Sequence, residues 1–435
     1  MLRAGCANGF HILDMQSWNR YAHSSTPKPF LIYPRGKYDR PRSRLKLLVM
    51  SATPSPIAPQ VLEYCRHNES LILDFLKRLV ETESPSDNKS AVDAVGAILA
   101  QEFEDLGGEI KIHPQKDYGD HLQADFHGAH GQKPIMLLGH FDTVWSMGTL
   151  KTMPYRVDSG RVYGPGVYDM KAGITMMVFA LRALKELGAT GHRPITIFLD
   201  TDEEVGSESS RAITESIARE CEAVLVLEPS QGPQGFLKTS RKGVGDCTVR
   251  VVGRASHSGV DFDKGRSAIV ELAHQILAIE KFVDLPRGIT VNPGVIQGGT
   301  RSNVVAAEAS VEVDLRVVRM GDAAELTGKF RELKAVNPEC SITVTGGINR
   351  PPMERTEGTV KLFQLAREIG KTLGLDLGES ATGGGSDGNF TSALGIPTLD
   401  GLGAVGKGAH SANESIVLRD MHHRCGILAG LLLEL

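Results

Sequence analysis

An α/β fold, with a mainly parallel sheet carrying helices on both faces and a smaller ferredoxin-like α+β domain inserted into it, is predicted by three features of the sequence. Short, wholly apolar runs bounded by Gly or Pro alternate with amphipathic stretches, the mark of strands buried on both faces of a parallel sheet. Between residues 241 and 348 the pattern changes to half-exposed, alternating strands in the order β-α-β-β-α-β, the split βαβ arrangement. With 435 residues the chain is also too long for one ordinary compact core, so two domains are expected.

Taken in order, residues 61–80 have helical apolar spacing, and Ser86 and Asp87 are placed to cap a second helix that stops at Gly107-Gly108. Residues 134–139 form a first buried strand. An amphipathic helix over 171–187 ends at Gly188, and 194–199 and 223–227 are two more buried strands. The insertion reads as a strand over 247–252, a helix near 266–282, strands near 289–296 and 310–317, a helix near 323–335 and a strand near 341–345. Helix and strand alternation resumes after Arg350. The expected division is an extension over 1–58, a larger domain in two parts (59–240 and 349–435), and an insertion over 241–348 with hinges near 240 and 348.

Composition narrows the classes. Apolar residues make up 41% and charged residues 23%, as in globular proteins, and the formal net charge of −4 gives no sign of a nucleic-acid partner. No apolar run approaches the roughly 20 residues of a membrane helix. Six cysteines stand singly, without Cys-x-x-Cys, which suggests a reducing, cytoplasmic setting. The charge is uneven: residues 1–50 hold nine Lys/Arg against two Asp/Glu. Their one apolar stretch, 45–50, contains Lys46 and is too short for a signal-peptide core. A disordered extension, or sequence ahead of a true start at Met50, is expected there in preference to an organellar transit peptide.

Five segments carry potential chemistry. His140 and Asp142, in Gly-His-Phe-Asp-Thr, follow the first apolar strand; Glu203 and Glu204 follow the second, and Glu228 the third. His410 is expected after a short strand near 397–399, and Asp169 stands ahead of a helix on the same side. Carboxyl ends of parallel strands converge on the ligand crevice, so imidazoles and several carboxylates would meet there. Such a cluster repels itself unless cations occupy it. Oxygen and imidazole donors without thiolate suit zinc, cobalt or manganese. Taken singly, each piece is ordinary turn or helix-start chemistry; recurrence at one sheet edge is what argues against coincidence.

The stretches His140-Phe-Asp-Thr-Val144, Gly164-Pro-Gly-Val-Tyr-Asp-Met-Lys171, Thr201-Asp-Glu-Glu-Val-Gly-Ser207, Leu227-Glu-Pro229, Ala255-Ser-His-Ser-Gly259 and Gly383-Gly-Gly-Ser-Asp387 carry a resemblance. In that order they are similar to the zinc aminoacylase/carboxypeptidase family, which includes acetylornithine deacetylase and succinyl-diaminopimelate desuccinylase. The chain most resembles its glutamate carboxypeptidase branch, from about residue 61 to the end. The resemblance implies an enzyme with two zinc ions per subunit, cobalt or manganese being possible substitutes. Asp169 would bridge them, His140 and Glu228 would complete one, and Glu204 and His410 the other. Asp142 would orient His140, and Glu203 would be the general base. Two Zn²⁺ against three ligand carboxylates leave a positive remainder that suits an anionic nucleophile.

The same resemblance implies a homodimer through the inserted lid domain, with His257 donating to the oxyanion of the neighbouring subunit's site. Arg350 would grip the substrate carboxylate, helped by Asn303 and the Gly385 backbone, while Ser386 and Asp387 read as turn and cap residues. The implied substrate is a small peptide or N-acyl amino acid with a free α-carboxylate; carboxypeptidase and deacylase readings both stay open. Departures from the pattern are Met170, where the branch has an acidic residue, and Ser258 after His257. A Rossmann oxidoreductase lacks support, because no Gly-x-Gly-x-x-Gly follows an early strand with an acidic residue about 20 positions on. A metal-dependent binding protein without activity would be expected to lack the base or a ligand, yet none is missing.

Overall fold

The computed structural model describes residues 57–129, 131–189 and 193–435. The expectations for residues 1–50, including Met50 as a start, lie outside the described residues. The main sheet has six strands in the order Glu109–His113, His121–Phe126, Ile195–Asp200, Ile135–His140, Ala223–Val226 and Thr398–Leu399. The last four run parallel, and the first two, which the expected element order did not include, pair antiparallel at one side of the sheet.

Both faces of this sheet are covered, which explains its unbroken apolar runs. Ile135, Leu137, Ile197, Leu199 and Leu225 join a core with the helices Lys89–Leu106, Ala172–Glu186 and Leu418–Glu434. Their alternates Met136, Leu138, Phe198, Val224 and Val226 pack with Ala218 and Cys221 at the end of the helix Arg211–Glu220. Burying one such side chain contributes about 1.5–3 kcal/mol, so a register slip, which would move every residue of a strand to the other face, is excluded on packing grounds.

The insertion shows the expected order. Its antiparallel sheet runs Thr290–Gly298, Glu308–Val317, Gly243–Val252, Ser341–Arg350. The helices Ala268–Glu280 and Met320–Arg331 share with it a core that has no residue in common with the other two. No helix among the described residues is long and apolar enough to cross a membrane.

Three local expectations are corrected. The helix over 61–80 is two, Ile57–His67 and Glu69–Glu81, broken at Asn68. The helix Lys89–Leu106 is capped by Asn88, whose Oδ1 accepts from Ala91 N at 3.2 Å, not by Ser86 or Asp87; the Ser86 hydroxyl is used elsewhere. It stops at Gly107, as expected, in the left-handed region at φ 99°. Asp387 precedes the helix Gly388–Ala393 but makes no side-chain cap bond, because Arg350 claims its carboxylate.

Candidate metal centre

Asp169 lies in the turn Val167–Lys171, where it and Met170 leave helical dihedrals ahead of the helix Ala172–Glu186. That helix can approach the end of the third apolar strand only because Gly173 has no side chain: a Cβ there would meet Leu227 O at 2.2 Å. The Asp169 carboxylate faces an imidazole on each side. His140 Nε2 is 3.3 Å from Oδ1 and His410 Nε2 is 3.5 Å from Oδ2. Each imidazole has a second carboxylate, Glu228 Oε1 at 3.4 Å from His140 Nε2 and Glu204 Oε2 at 3.2 Å from His410 Nε2. The five side chains therefore form two groups that share Asp169.

These spacings can be set against the geometry of a bound cation. Direct charge-assisted hydrogen bonds would close to about 2.7–2.9 Å. Ligands of one tetrahedral zinc, bound at about 2.0–2.2 Å, stand roughly 3.3–3.5 Å apart along the tetrahedron's edge. The observed separations, 3.2–3.5 Å, match the edge. The donor set fits a pair of divalent cations. Glu203 is also near: its ligand atom lies within 4.8 Å of those of His140 and Glu228. It makes no ion pair with either imidazole, however, and its Oε1 is 3.1 Å from Arg350 Nη2, which sets it apart from the five.

The supporting elements explain the placement. His140 ends the strand Ile135–His140, Glu203 and Glu204 form the 3-10 turn after Ile195–Asp200, and Glu228 lies just past Ala223–Val226. His410 does not follow the strand Thr398–Leu399 directly. It comes from a loop of a second, small antiparallel sheet, between Gly406–Lys407 and Ser415–Val417, and takes φ 59°. That conformation is uncommon for a residue other than glycine. Met170 is buried beneath His140, whose backbone N–H points at its sulfur at 3.4 Å, so this position packs as core.

Around the five lies a ring of buried partners. Asp142 Oδ1 is 3.3 Å from His140 Nδ1, while its Oδ2 accepts from Ser86 Oγ at 2.6 Å and from Glu204 N at 3.3 Å. One carboxylate thus braces a member of each group, and Ser86 braces it in turn. Arg241, unremarked in the sequence, donates from Nη2 to Glu228 Oε2 at 3.2 Å and pairs through Nε with Asp400 Oδ2 at 2.7 Å. Nothing in Lys-Thr-Ser-Arg-Lys distinguishes it from a surface charge.

Burial disfavours a charged His140, but Asp142, Asp169 and Glu228 outweigh it and hold its pKa well above the ordinary value. Asp169 and Glu204 push His410 up to about 10 against a smaller effect of burial. Asp169 itself is held low, because the two imidazoles overcome its burial. Burial lifts Glu204 to about 7 and Glu203 well above the usual carboxylate range, with Arg350 opposing in the latter case.

The remaining expected residues are placed as follows. Arg350 is buried and committed: it pairs with Asp387 and donates from Nη2 to Ser207 Oγ and Glu203 O, each at 2.8 Å. These partners hold its guanidinium beside Glu203. The Gly385 carbonyl accepts from Arg241 Nη1 at 2.7 Å, and a Cβ at Gly385 would sit 2.9 Å from Arg350 Cδ. His257 and Asn303 are exposed neighbours on the insertion, joined by the bond from Ser258 N to Asn303 O at 3.0 Å. Among the described residues, no hydrogen bond or ion pair ties either to the five.

A sequence profile of the Peptidase family M20/M25/M40 matches residues 136–434. The chain is 31% identical over 373 residues to carboxypeptidase G2 of Pseudomonas sp. (strain RS-16), covering 84% of this chain and 89% of that one. It is 28% identical over 286 residues to acetylornithine deacetylase of Salmonella arizonae, covering 60% and 72% respectively. The solved structure of aminopeptidase PepT from Bacillus cereus superposes with a TM-score of 0.73 at 22% identity, covering 84% of this chain and 98% of that one; this is a likeness of fold. The chain belongs to the Peptidase family M20/M25/M40, a family of metal-dependent hydrolases.

Proposed function

We propose that the protein is a di-zinc amidohydrolase that cleaves the amide bond of a peptidyl or N-acyl amino acid bearing a free α-carboxylate. The observation that carries this reading is the Asp169 carboxylate, which turns one oxygen toward each of two imidazole–carboxylate pairs. Two divalent cations bound there would activate a water and polarise the scissile carbonyl. Glu203 takes the water's proton and returns it to the leaving nitrogen. Its raised proton affinity suits a group that must both accept and give. Arg350, with Asn303 and the Gly385 backbone, would bind the substrate α-carboxylate, which would take the place of Asp387 on the guanidinium.

His257 Nδ1 accepts from Gly259 N at 3.1 Å, which leaves the ring proton on Nε2, free to donate to an oxyanion. Since His257 lies outside its own chain's cluster, a second copy is the natural acceptor. The insertion offers a surface for it. The helix Ala268–Glu280 exposes Ile269, Val270 and Leu277, and the edge strand Thr290–Gly298 exposes Val295 and Ile296. An exposed apolar edge of this kind marks an interaction site. A homodimer through residues 241–348 is expected by light scattering, and Ile296→Glu should shift it toward monomer with at least a tenfold loss of activity. A fully active monomer would remove this part of the reading. The five described cysteines are free and buried, which supports a reducing, cytoplasmic setting.

Deacylation of an N-acyl amino acid is the same hydrolysis with a different acyl side, and the likeness to acetylornithine deacetylase favours it as the second reading. Metal analysis, followed by assays on peptidyl and N-acyl amino acids ending in Glu, Asp, Arg or an apolar residue, tests both. The first reading expects about two zinc ions per chain and turnover of the peptidyl set; preference for simple N-acyl substrates supports the second. No hydrolysis by the metal-loaded protein rejects both.

A further inference from the structure

The turn that carries Asp169 cannot satisfy its own backbone, because its dihedrals depart from a helix just where its amides need acceptors. One distant side chain meets that need. Glu414 Oε1 accepts from Tyr168 N at 2.7 Å and Asp169 N at 3.1 Å, while Oε2 accepts from Gly166 N at 2.9 Å and Trp145 Nε1 at 2.8 Å. Two bonds on each oxygen fill the roughly four acceptor sites of a carboxylate. Glu414 is fully buried.

Its position in the chain gives those bonds their meaning. Glu414 shares with His410 the loop between Gly406–Lys407 and Ser415–Val417, and Trp145 lies in the segment that follows the strand ended by His140. Three segments that bear candidate ligands, those of His140, Asp169 and His410, therefore close on a single carboxylate. The loop itself is braced by Glu414 N to Ser411 O at 2.9 Å and by Ser411 Oγ to Asn413 Oδ1 at 2.7 Å, so Glu414 cannot shift alone.

We infer that Glu414 is a positioning residue that holds the Asp169 carboxylate midway between the two imidazole groups; this rests on the two-metal reading above. Its demand is for charge and for four acceptor sites, not for bulk. A glutamine of the same size has one acceptor oxygen and would turn an NH2 group toward two N–H donors.

The test is Glu414→Gln, with Trp145→Phe as a milder variant that removes one donor. Circular dichroism and light scattering report folding, chelator competition gives the affinity for Zn²⁺, and the visible spectrum of the Co²⁺-loaded protein reports ligand geometry. Glu414→Gln is expected to weaken metal binding about 10–100-fold, the usual effect of losing a residue that orients a ligand. It should also alter the cobalt spectrum and lower kcat more than it changes KM. Trp145→Phe should weaken binding a few-fold in the same sense, and it decides the matter if Glu414→Gln does not fold. Metal affinities and cobalt spectra equal to wild type in the folded variants would overturn the inference, even if thermal stability fell. Failure of the wild-type protein itself to bind a metal pair would instead overturn the two-metal reading, and the inference with it.

Discussion

Glu203→Ala is expected to keep its full metal content while kcat falls by about 10²–10⁴, the contribution of a positioned general base. Two features of the structure shape that expectation. Glu203 makes no ion pair with either imidazole, so removing it takes nothing from the five convergent side chains. It also makes an ion pair with Arg350, whose guanidinium keeps Asp387, Ser207 and the Glu203 carbonyl as partners when the side chain is gone. The fold should therefore tolerate the change. Metal analysis alongside steady-state kinetics decides the point: unchanged turnover would end the assignment of Glu203, and loss of metal would show that it is a ligand after all.

Asp169→Asn should be more damaging, because an amide has one oxygen to offer where the structure shows two in use, one toward His140 and one toward His410. Chelator competition should find that the variant no longer holds a metal pair. Losing several kcal/mol of charge stabilisation at the reacting carbonyl corresponds to a rate loss on the order of 10³-fold or more. The protonation states add a second readout. In the metal-free protein both imidazoles hold protons at neutral pH, since their neighbours raise His140 well above its ordinary value and His410 to about 10. Cations bind the neutral ring, so loading must release protons, and apparent affinity should climb with pH up to about 10.

The sign for stability follows from the same shift. A raised histidine pKa stabilises the metal-free fold fully below the unfolded value of about 6.5. That contribution is lost as pH rises through about 10. In Asp169→Asn one of the two carboxylates acting on His410 is gone, so its pKa should fall back and fewer protons should appear on loading. Titration with zinc in buffers of different ionisation enthalpy measures this. A variant that binds two zinc ions and releases protons as wild type does would exclude a bridging role for Asp169.

The fold was legible where burial imposes a period on the chain. Residues 134–139 and 194–199 read as strands because both faces are covered, and the insertion read as β-α-β-β-α-β because its strands are buried on one face. The strands Glu109–His113 and His121–Phe126 are absent from the expected order, although Glu-Ile-Lys-Ile-His and His-Leu-Gln-Ala-Asp-Phe both alternate polar with apolar residues; only the long, fully apolar runs are read there as strands of the larger domain. The break at Asn68 escaped notice because both flanking helices keep apolar spacing.

The candidate site divided along a similar line. Chain order placed His140, Glu203, Glu204 and Glu228 at strand ends, and the resemblance picked out His140, Asp169, Glu204, Glu228 and His410 as the ligand set. Neither identified their partners. Ser86 looked like a helix cap and Asp387 like another; each is claimed by a group far away in sequence. Arg241 and Glu414 gave no signal at all. The sequence by itself determined the alternation of the main elements, the donor chemistry at the strand ends and the family. Only the tertiary structure decided which buried donor meets which acceptor, because those pairings join loops from different elements and leave no period in the local pattern of residues.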